Sequence, residues 1–270
     1  MTSTSGSPQR LPRISTAAVI THGRVDVHEA VDSVRSLAER CGVTIVDEPR
    51  DADIAIALGG DGTILRMLAH LLGSGVPVVG VNFGRVGFLA SIPPDDLVRD
   101  LERVFRGEYD VIELPTLELD LDGARHVAVN DVVATSSTLG RMVELAWAIG
   151  GEELGTVPCD GMICSTPSGS TAYNLSNGGP VLVRGLDAMA ITFIAPHSLH
   201  ARPMVVPRGS TVTIRNETAD VACAILVDGR RTAELEPGAS ADVYLCAQRT
   251  LLAKLPETSF FTRYRETFAS

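Results

Sequence analysis

The sequence predicts an α/β domain followed by a β-rich domain, and three observations support this prediction. Hydrophobic residues make up 45% of the 270 residues, which is enough to build a substantial core. Roughly the first hundred residues alternate strand and helix patterns. After Gly107 the pattern changes to short alternating strands with Asp-Gly turns at Asp122–Gly123 and Asp228–Gly229. We therefore expect a doubly wound, Rossmann-like α/β domain and a β-rich sandwich domain, with the active site in the cleft between them.

The expected domain boundaries follow these changes of pattern. Residues 1–13 are polar and are expected to form a disordered tail. Residues 14–114 then form the N-terminal α/β domain, and residues 115–250 form the C-terminal β-rich domain. The remaining residues, 251–270, are amphipathic and are expected to return to the N-terminal domain.

Each element of the first domain is indicated by its own apolar pattern. Val27–Gly42 carries apolar residues on one helical face and ends in glycine, which favours an α-helix. Asp53–Leu58 is apolar almost throughout, as expected of a central parallel strand that is covered on both faces. The other elements are expected at Ile14–Ile20 (strand), from Gly62 to Gly73 (helix), at Val76–Asn82 (strand) and at Pro94–Gly107 (helix).

The charge and the cysteine content restrict the classes of partner. The formal net charge is -10, so a broad basic surface for nucleic acid or anionic lipid is not expected. No apolar run reaches the ~18 residues that a transmembrane helix requires. The 5 cysteines form no CxxC pair, which favours free, buried thiols in a reducing compartment. We therefore expect a cytoplasmic protein with no membrane or nucleic-acid partner.

The scarcity of lysine excludes two designs of phosphate site. Lys254 is the only lysine in the chain, and no glycine-rich loop lies near it in the sequence. A Walker-type P-loop requires Gly-Lys followed by Ser or Thr, and a protein kinase requires a strand-borne lysine that holds phosphates. A nucleotide site in this protein must therefore use another design.

A glycine-rich turn that contains a carboxylate follows the apolar strand Asp53–Leu58. The turn is Gly59–Gly62, and its glycines allow phosphate groups to approach the backbone. Asp61 either caps the next helix, or accepts a hydroxyl proton or helps to hold Mg²⁺ beside bound phosphates. A second glycine-rich turn, Asn82–Ser91, follows the next strand and should lie beside the first. Two adjacent glycine turns at the carboxyl ends of parallel strands favour a nucleotide site.

The densest cluster of hydroxyl groups lies in Cys159–Pro180, which reads CDGMICSTPSGSTAYNLSNGGP. Its serines, threonines and turn N–H groups are suited to hydrogen bonds with ribose and phosphate, and the ring of Tyr173 can stack on a base. A serine nucleophile is the alternative, but no G-x-S-x-G elbow is present. The segment therefore favours nucleotide binding.

Three further features permit both a structural and a functional interpretation. Asn130-Asp131 interrupts a strand, and it marks either an exposed edge or an acceptor for ribose hydroxyl groups. Asp228 is most simply a hairpin residue. His197 and His200 are spaced i, i+3, but no third ligand is evident, so structural hydrogen bonding is favoured over metal binding.

Together these motifs resemble the NAD kinase family, whose members use ATP, or in some cases polyphosphate, to phosphorylate the 2′-hydroxyl group of the adenosine ribose of NAD. The motifs occur in the family's order and span most of the chain. They are GGDGT at Gly59–Thr63, NFGRVGFL at Asn82–Leu89, ND at Asn130–Asp131, the Cys159–Pro180 segment, PHSLHARPMVVP after Ala195, and VDGRR up to Arg231.

The resemblance implies a role for each matching residue. Asp61 would be the catalytic base toward the acceptor hydroxyl group. The phosphate groups of ATP would lie on Gly59, Gly60, Gly62, Thr63 and Gly84. NAD would be bound by Asp61, Gly62, Asn130, Asp131, Asp160, Ser168, Thr171, Ala172, Tyr173, Ser176 and Asp228.

The resemblance also implies the cofactor and the assembly. Mg²⁺ would accompany the nucleotide with no metal site of the protein's own, and the chain would form a homodimer or homotetramer whose active sites borrow residues across an interface. One residue departs from the pattern, because the family usually has Asn-Glu where this chain has Asn130-Asp131. The shorter Asp131 side chain reaches less far toward a ribose.

Two alternatives remain open at this point. A lipid kinase of the diacylglycerol type shares the GGDG turn and a β-rich second domain, but it predicts an apolar acceptor channel and membrane association. A non-catalytic dinucleotide-binding regulator would bind NAD and leave Asp61 dispensable.

Overall fold

A computed structural model describes residues 12–21, 27–84 and 87–268. These residues form two compact units. The first unit comprises the described residues up to Ile112 together with those from Leu251 onward, and the second comprises Glu113–Thr250. The sequence predicts a disordered tail at residues 1–13, of which residues 1–11 lie outside the described residues.

The described residues contain helices and strands in the following order along the chain. The helices are α1 (His28–Cys41), α2 (Asp61–His70), α3 (Leu97–Phe105), α4 (Tyr173–Ser176) and α5 (Phe260–Phe268). The strands are β1 (Thr16–Thr21), β2 (Thr44–Ile45), β3 (Ile54–Gly59), β4 (Val78–Asn82), β5 (Asp110–Leu121), β6 (Ala124–Ala128), β7 (Asp131–Ser136), β8 (Val143–Ile149), β9 (Glu152–Cys159), β10 (Gly161–Ser165), β11 (Ala188–Ile194), β12 (Met204–Pro207), β13 (Thr211–Asn216), β14 (Cys223–Val227), β15 (Arg230–Leu235) and β16 (Ser240–Lys254).

The first unit is built on a parallel sheet with the strand order β2-β1-β3-β4, which the end of β16 extends in parallel beside β4. Every residue of β3 is buried. A strand that is covered on both faces must be apolar throughout, which is why Ile54–Leu58 contains only Ile, Ala and Leu. The doubly wound α/β fold that the sequence predicts is confirmed.

The ends of two helices show how glycine shapes this unit. Gly42 directly follows helix α1 and terminates it. Its φ of 70° is left-handed, which suits a residue with no Cβ. Helix α2 ends at His70, earlier than the predicted end at Gly73. Gly73 and Gly75 both have positive φ angles, so the chain turns through several residues before β4 begins.

The second unit contains antiparallel strands in two sheets, as the sequence predicts. One sheet has the order β12-β11-β10-β7-β14-β15, and the other contains β16-β13-β8-β9, with β5 paired to β16 and β6 paired to β5. A single core takes side chains from both sheets. Trp147 of β8 meets Phe193 of β11 edge-on, with their ring centroids 5.4 Å apart. The β-rich second domain is therefore confirmed as a sandwich.

In the part of the chain that the structure describes, no helix is long and apolar enough to cross a membrane.

Candidate active site

The first glycine turn connects the buried strand β3 to helix α2. Gly60 precedes the helix with an extended backbone, and Asp61 is its first residue. A Cβ on Gly59 would lie 2.4 Å from Oγ1 of Thr63, so a larger residue here would force the Thr63 side chain to move. A Cβ on Gly62 would meet no atom within 4 Å. The backbone of Gly62 therefore faces open space at the start of a helix, where N–H groups lack partners within the helix and anions bind.

The side chain of Asp61 does not cap its own helix. Its carboxylate instead accepts hydrogen bonds from backbone N–H groups that lie 27 to 29 residues later in the sequence. Phe88 donates at 2.8 Å, Leu89 at 3.2 Å to both oxygens, and Ala90 at 3.3 Å. The N-cap interpretation of Asp61 is therefore wrong, and the carboxylate is oriented by the second glycine turn.

The two glycine turns lie side by side, as the sequence predicts. Phe83 donates its N–H to the carbonyl oxygen of Gly59 at 3.1 Å. A Cβ on Gly84 would lie 3.2 Å from the Cα atom of Gly60, so the two backbones are close neighbours. Arg85 and Val86, which belong to the NFGRVGFL motif, lie outside the described residues.

Asn130 and Asp131 stand where β6 gives way to β7, and a distant carboxylate holds their backbone. Asp228 accepts hydrogen bonds from the N–H groups of Val129 (2.9 Å), Asn130 (2.7 Å) and Asp131 (3.2 Å). Asp228 also occupies a hairpin turn with a φ of 48°, as its Asp-Gly sequence predicts. Asp228 therefore has two roles: it forms part of the hairpin turn, and it fixes the backbone of Asn130 and Asp131.

Burial makes Asp131 an unusual acid. Its side chain begins an inner strand of the six-stranded sheet, and the residue is 5% exposed. Burial raises the pKa of Asp131 to about 7, and the neighbouring charge of Asp228 contributes in the same direction. Burial also raises the pKa of Asp228, although its three N–H donors and Arg230 act in the opposite direction. A ligand that donates hydrogen bonds would stabilise the charged form of either group.

The turn after β10 packs directly on Asn130. Thr166 donates its N–H to the carbonyl oxygen of Asn130 at 2.9 Å and its hydroxyl group to that of Val129 at 2.7 Å. A Cβ on Gly169 would lie 2.1 Å from the carbonyl oxygen of Asn130, which only glycine avoids. The fold thereby brings the Ser168-Gly169 turn against Asn130, although more than thirty residues separate them in the sequence.

Two buried polar atoms in this region have no hydrogen-bond partner among the residues that the structure describes. They are Oδ1 of Asn130 and Oγ of Ser168. Buried polar atoms without partners are rare in folded proteins, and each costs on the order of 1–3 kcal/mol. Two such atoms around one turn mark it as a candidate site for a polar ligand.

Asn174 supports this turn from inside the protein, a role that the sequence analysis did not assign. Its amide group donates to the carbonyl oxygens of Ser170 (3.1 Å) and Pro180 (3.0 Å), and it accepts from the hydroxyl group of Thr192 (2.7 Å). A Cβ on Gly179 would lie 2.0 Å from Oδ1 of Asn174. The polar residues of Cys159–Pro180 therefore divide into buried supports and accessible groups.

The accessible groups predicted for this segment do not all lie together. Thr171 donates its hydroxyl group to the carbonyl oxygen of Ser168, and Ala172, Tyr173 and Ser176 are exposed on the same turn and the short helix α4. Asp160 is also exposed, but it precedes β10, whereas the turn follows this strand. Six extended residues span about 20 Å. The structure therefore separates Asp160 from the other predicted residues of the second unit.

The structure also describes the two histidines spaced i, i+3 and the single lysine. His197 and His200 are exposed, and no group of three or more His, Cys, Asp or Glu side chains in the described ranges could hold a metal ion. Lys254 pairs with Asp110, with Nζ 2.9 Å from the carboxylate.

Comparison with known families covers most of the chain. Residues 18–109 match the model of the ATP-NAD kinase N-terminal domain, and residues 129–255 match that of the ATP-NAD kinase C-terminal domain. An NAD kinase of Heliobacterium modesticaldum is 39% identical over 225 residues, which are 82% of this chain and 80% of that protein. An NAD kinase of Gemmatimonas aurantiaca is 36% identical over 227 residues, which are 81% of this chain and 77% of that protein.

Two solved structures share the fold. The crystal structure of an NAD kinase from Archaeoglobus fulgidus in complex with ATP has a TM-score of 0.78 at 24% sequence identity. The match covers 94% of this chain and 97% of the Archaeoglobus chain. The crystal structure of yeast NADH kinase complexed with NADH has a TM-score of 0.84 at 20% sequence identity. The match covers 95% of this chain and 88% of the yeast chain. At these identities the likeness concerns the fold alone.

Proposed function

The chain belongs to the NAD kinase family, and we propose that it transfers the γ-phosphate of ATP to the 2′-hydroxyl group of the adenosine ribose of NAD. Both domains of the family are matched, and relatives between 32% and 39% identical are NAD kinases. The chain is therefore a kinase that phosphorylates NAD. The proposals below concern the residues that carry out this reaction.

The observation that supports the acceptor site best is the pair of unpartnered atoms beside Asp131. Among the described residues, Oδ1 of Asn130 and Oγ of Ser168 are buried and have no hydrogen-bond partner, and Asp131, whose carboxyl group is buried, directly follows Asn130 in the chain. A ribose with its hydroxyl groups supplies donors to both acceptors and to the carboxylate. The same site would be lined by Thr171, Ala172, Tyr173 and Ser176. Asp228 would hold the backbone of Asn130 and Asp131 in place.

Asp61 would accept the proton of the 2′-hydroxyl group as this group attacks the γ-phosphorus atom. An ionised carboxylate accepts about four hydrogen bonds, and three backbone N–H groups bind that of Asp61. These hydrogen bonds would hold the carboxylate in one orientation as it accepts the hydroxyl proton. The phosphate groups would lie on Gly59, Gly60, Gly62, Thr63 and Gly84.

Mg²⁺ is proposed as the companion of ATP. Mg²⁺ prefers oxygen ligands and is commonly bound through substrate phosphates and one or two carboxylates. Three N–H groups already bind the carboxylate of Asp61, so phosphates would provide most of the ligands. The ion would neutralise phosphate charge during transfer, a role for which Lys254, paired with Asp110, is not placed.

An oligomer would complete the site, and the cytoplasm is the proposed compartment. Asp160 lies at the opposite end of β10 from Ser168, so it would reach NAD only when a second copy of the chain supplied it. A homodimer or homotetramer fits this need. All 5 cysteines are free, and Cys159, Cys164, Cys223 and Cys246 are buried, which supports a reducing compartment.

Product analysis tests the proposed reaction. The purified chain is incubated with NAD, ATP and Mg²⁺, and NADP⁺ is measured with an NADP-specific dehydrogenase. We expect NADP⁺ in a 1:1 ratio to ADP, no product without ATP, and loss of product with 2′-deoxy-NAD. ADP formation with 2′-deoxy-NAD, or phosphorylation of diacylglycerol instead of NAD, would contradict the proposed acceptor.

A further inference from the structure

The C-terminal helix α5 contacts the segment that orients Asp61. Arg263 of this helix donates from Nη2 to the carbonyl oxygens of Ala90 at 3.0 Å and Ser91 at 3.3 Å. The ring of Phe88 packs against two rings of α5, those of Phe260 and Phe268, with centroid distances of 5.8 Å in each case. One cation and two rings therefore hold Phe88–Ser91.

The same segment donates to Asp61 through its N–H groups. The segment Phe88–Ser91 thus lies between two charged groups: the carboxylate binds N–H groups of Phe88, Leu89 and Ala90, and the guanidinium group binds carbonyl oxygens of Ala90 and Ser91. The N–H groups and the carbonyl oxygens involved belong to different peptide groups of one short segment, so the guanidinium group acts on the carboxylate by fixing the position of this backbone. Arg263 and Asp61 are therefore coupled through the backbone without touching.

The burial of Arg263 is not explained by core packing. No residue of α5 is buried, and Phe261 and Tyr264 are 67% and 41% exposed. The Arg263 side chain is nevertheless only 17% exposed, and within the described residues it forms an ion pair with Glu266 at 3.3 Å. A partly desolvated guanidinium group is costly unless its hydrogen bonds are made, and here two of them go to the segment that binds Asp61.

We propose that Arg263 is a positioning residue for Asp61. It fixes the Phe88–Ser91 segment, and the N–H groups of this segment hold the carboxylate in one orientation. Gly87 completes the arrangement, because a Cβ there would lie 2.3 Å from Cγ of Asp61. This inference rests on the proposed role of Asp61 as the base.

Kinetics of variants of Arg263 test the proposal. Arg263→Ala is expected to lower kcat roughly tenfold or more, because small displacements of a catalytic group are costly. The KM for NAD should change by less than about twofold, because no NAD-binding residue is altered. Arg263→Lys should recover part of kcat, since an ammonium group also donates to carbonyl oxygens. Arg265→Ala removes the same charge from an exposed position of the same helix, and it should match the native enzyme.

A double-mutant cycle separates positioning from a general structural role. In the Asp61→Asn background, Arg263→Ala should cause little further loss of kcat, because its effect passes through the missing carboxylate. The proposal is overturned by an unchanged kcat in Arg263→Ala, or by an equal loss of kcat in both backgrounds. Near-native turnover of Asp61→Asn alone would instead overturn the proposed base, so the two failures are distinguishable. Thermal melting of each variant confirms that it is folded.

Discussion

At the scale of single residues, the second unit keeps a carboxyl group where water hardly reaches it. Asp131 is 5% exposed, and burial together with Asp228 raises its pKa to about 7. In the unfolded chain the same group has an ordinary pKa near 3.8. The folded protein therefore binds this proton more tightly than the unfolded chain does, and this part of the stability is lost as the pH rises from about 4 to about 7.

Replacement of Asp131 tests this linkage. The Asp131→Asn side chain cannot ionise. The melting temperature of this variant minus that of the native protein should therefore increase by several degrees between pH 5 and pH 8. Thermal melts in the absence of nucleotide, monitored by circular dichroism, measure the difference. Asp122→Asn, in an exposed hairpin turn, is the matched control for the loss of one carboxylate. A difference that stays constant for Asp131→Asn would show that Asp131 is charged in the folded protein.

The residue scale is also where sequence reasoning reached its limit. The presence of Asp61 in a glycine turn was visible, but its three N–H donors lie 27 to 29 residues away. The contacts of Asp228 with Val129 and Asn130 span almost one hundred residues. Such contacts depend on how distant strands are placed, and no local pattern of residue types encodes them.

At the scale of elements, the two glycine turns were predictable together. Two apolar runs in the sequence correspond to β3 and β4, which are parallel neighbours. The carboxyl ends of parallel strands lie at one edge of a sheet, so the turns that follow these strands lie together. The end of α2 and the short helix α4 were not predicted, because helix ends and helices of about one turn carry weak signals.

The glycines of the first turn have separable roles. A Cβ on Gly62 meets no atom, and alanine is the better helix former by up to about 1 kcal/mol, so Gly62→Ala should be at least as stable as the native protein. Its KM for ATP should nevertheless rise roughly tenfold, because the added methyl group stands where phosphates approach the backbone.

Stability and steady-state kinetics on the same samples decide this point. Gly59→Ala is the comparison, since its Cβ would lie 2.4 Å from Oγ1 of Thr63 and it should lose stability instead. An unchanged KM for ATP in a stable Gly62→Ala variant would show that ATP does not use this backbone.

At the scale of the whole molecule, Asp160 is the residue that a single chain leaves unexplained. It precedes β10, whereas Ser168 and its neighbours follow this strand. The proposed oligomer accounts for this separation, because another subunit can present Asp160 to the site.

Mixing of two inactive variants tests the shared site. Asp61→Asn and Asp160→Ala chains should each have low activity. After unfolding and refolding together at equal concentration, random pairing in a dimer should restore about a quarter of the native sites. Each variant refolded alone is the control. Activity that merely equals the average of the two separate preparations would place Asp160 within its own subunit's site or outside any site.

The central claim is that Asp61 takes the proton from the 2′-hydroxyl group of NAD, and single-turnover phosphate transfer by Asp61→Asn tests it most directly. The rate of NADP⁺ formation should fall by ~10²-fold or more, as is usual for loss of a general base. Calorimetry on the same variant should give an NAD affinity close to that of the native enzyme, with Asp122→Asn as the control for both measurements. A transfer rate near the native value would contradict the claim.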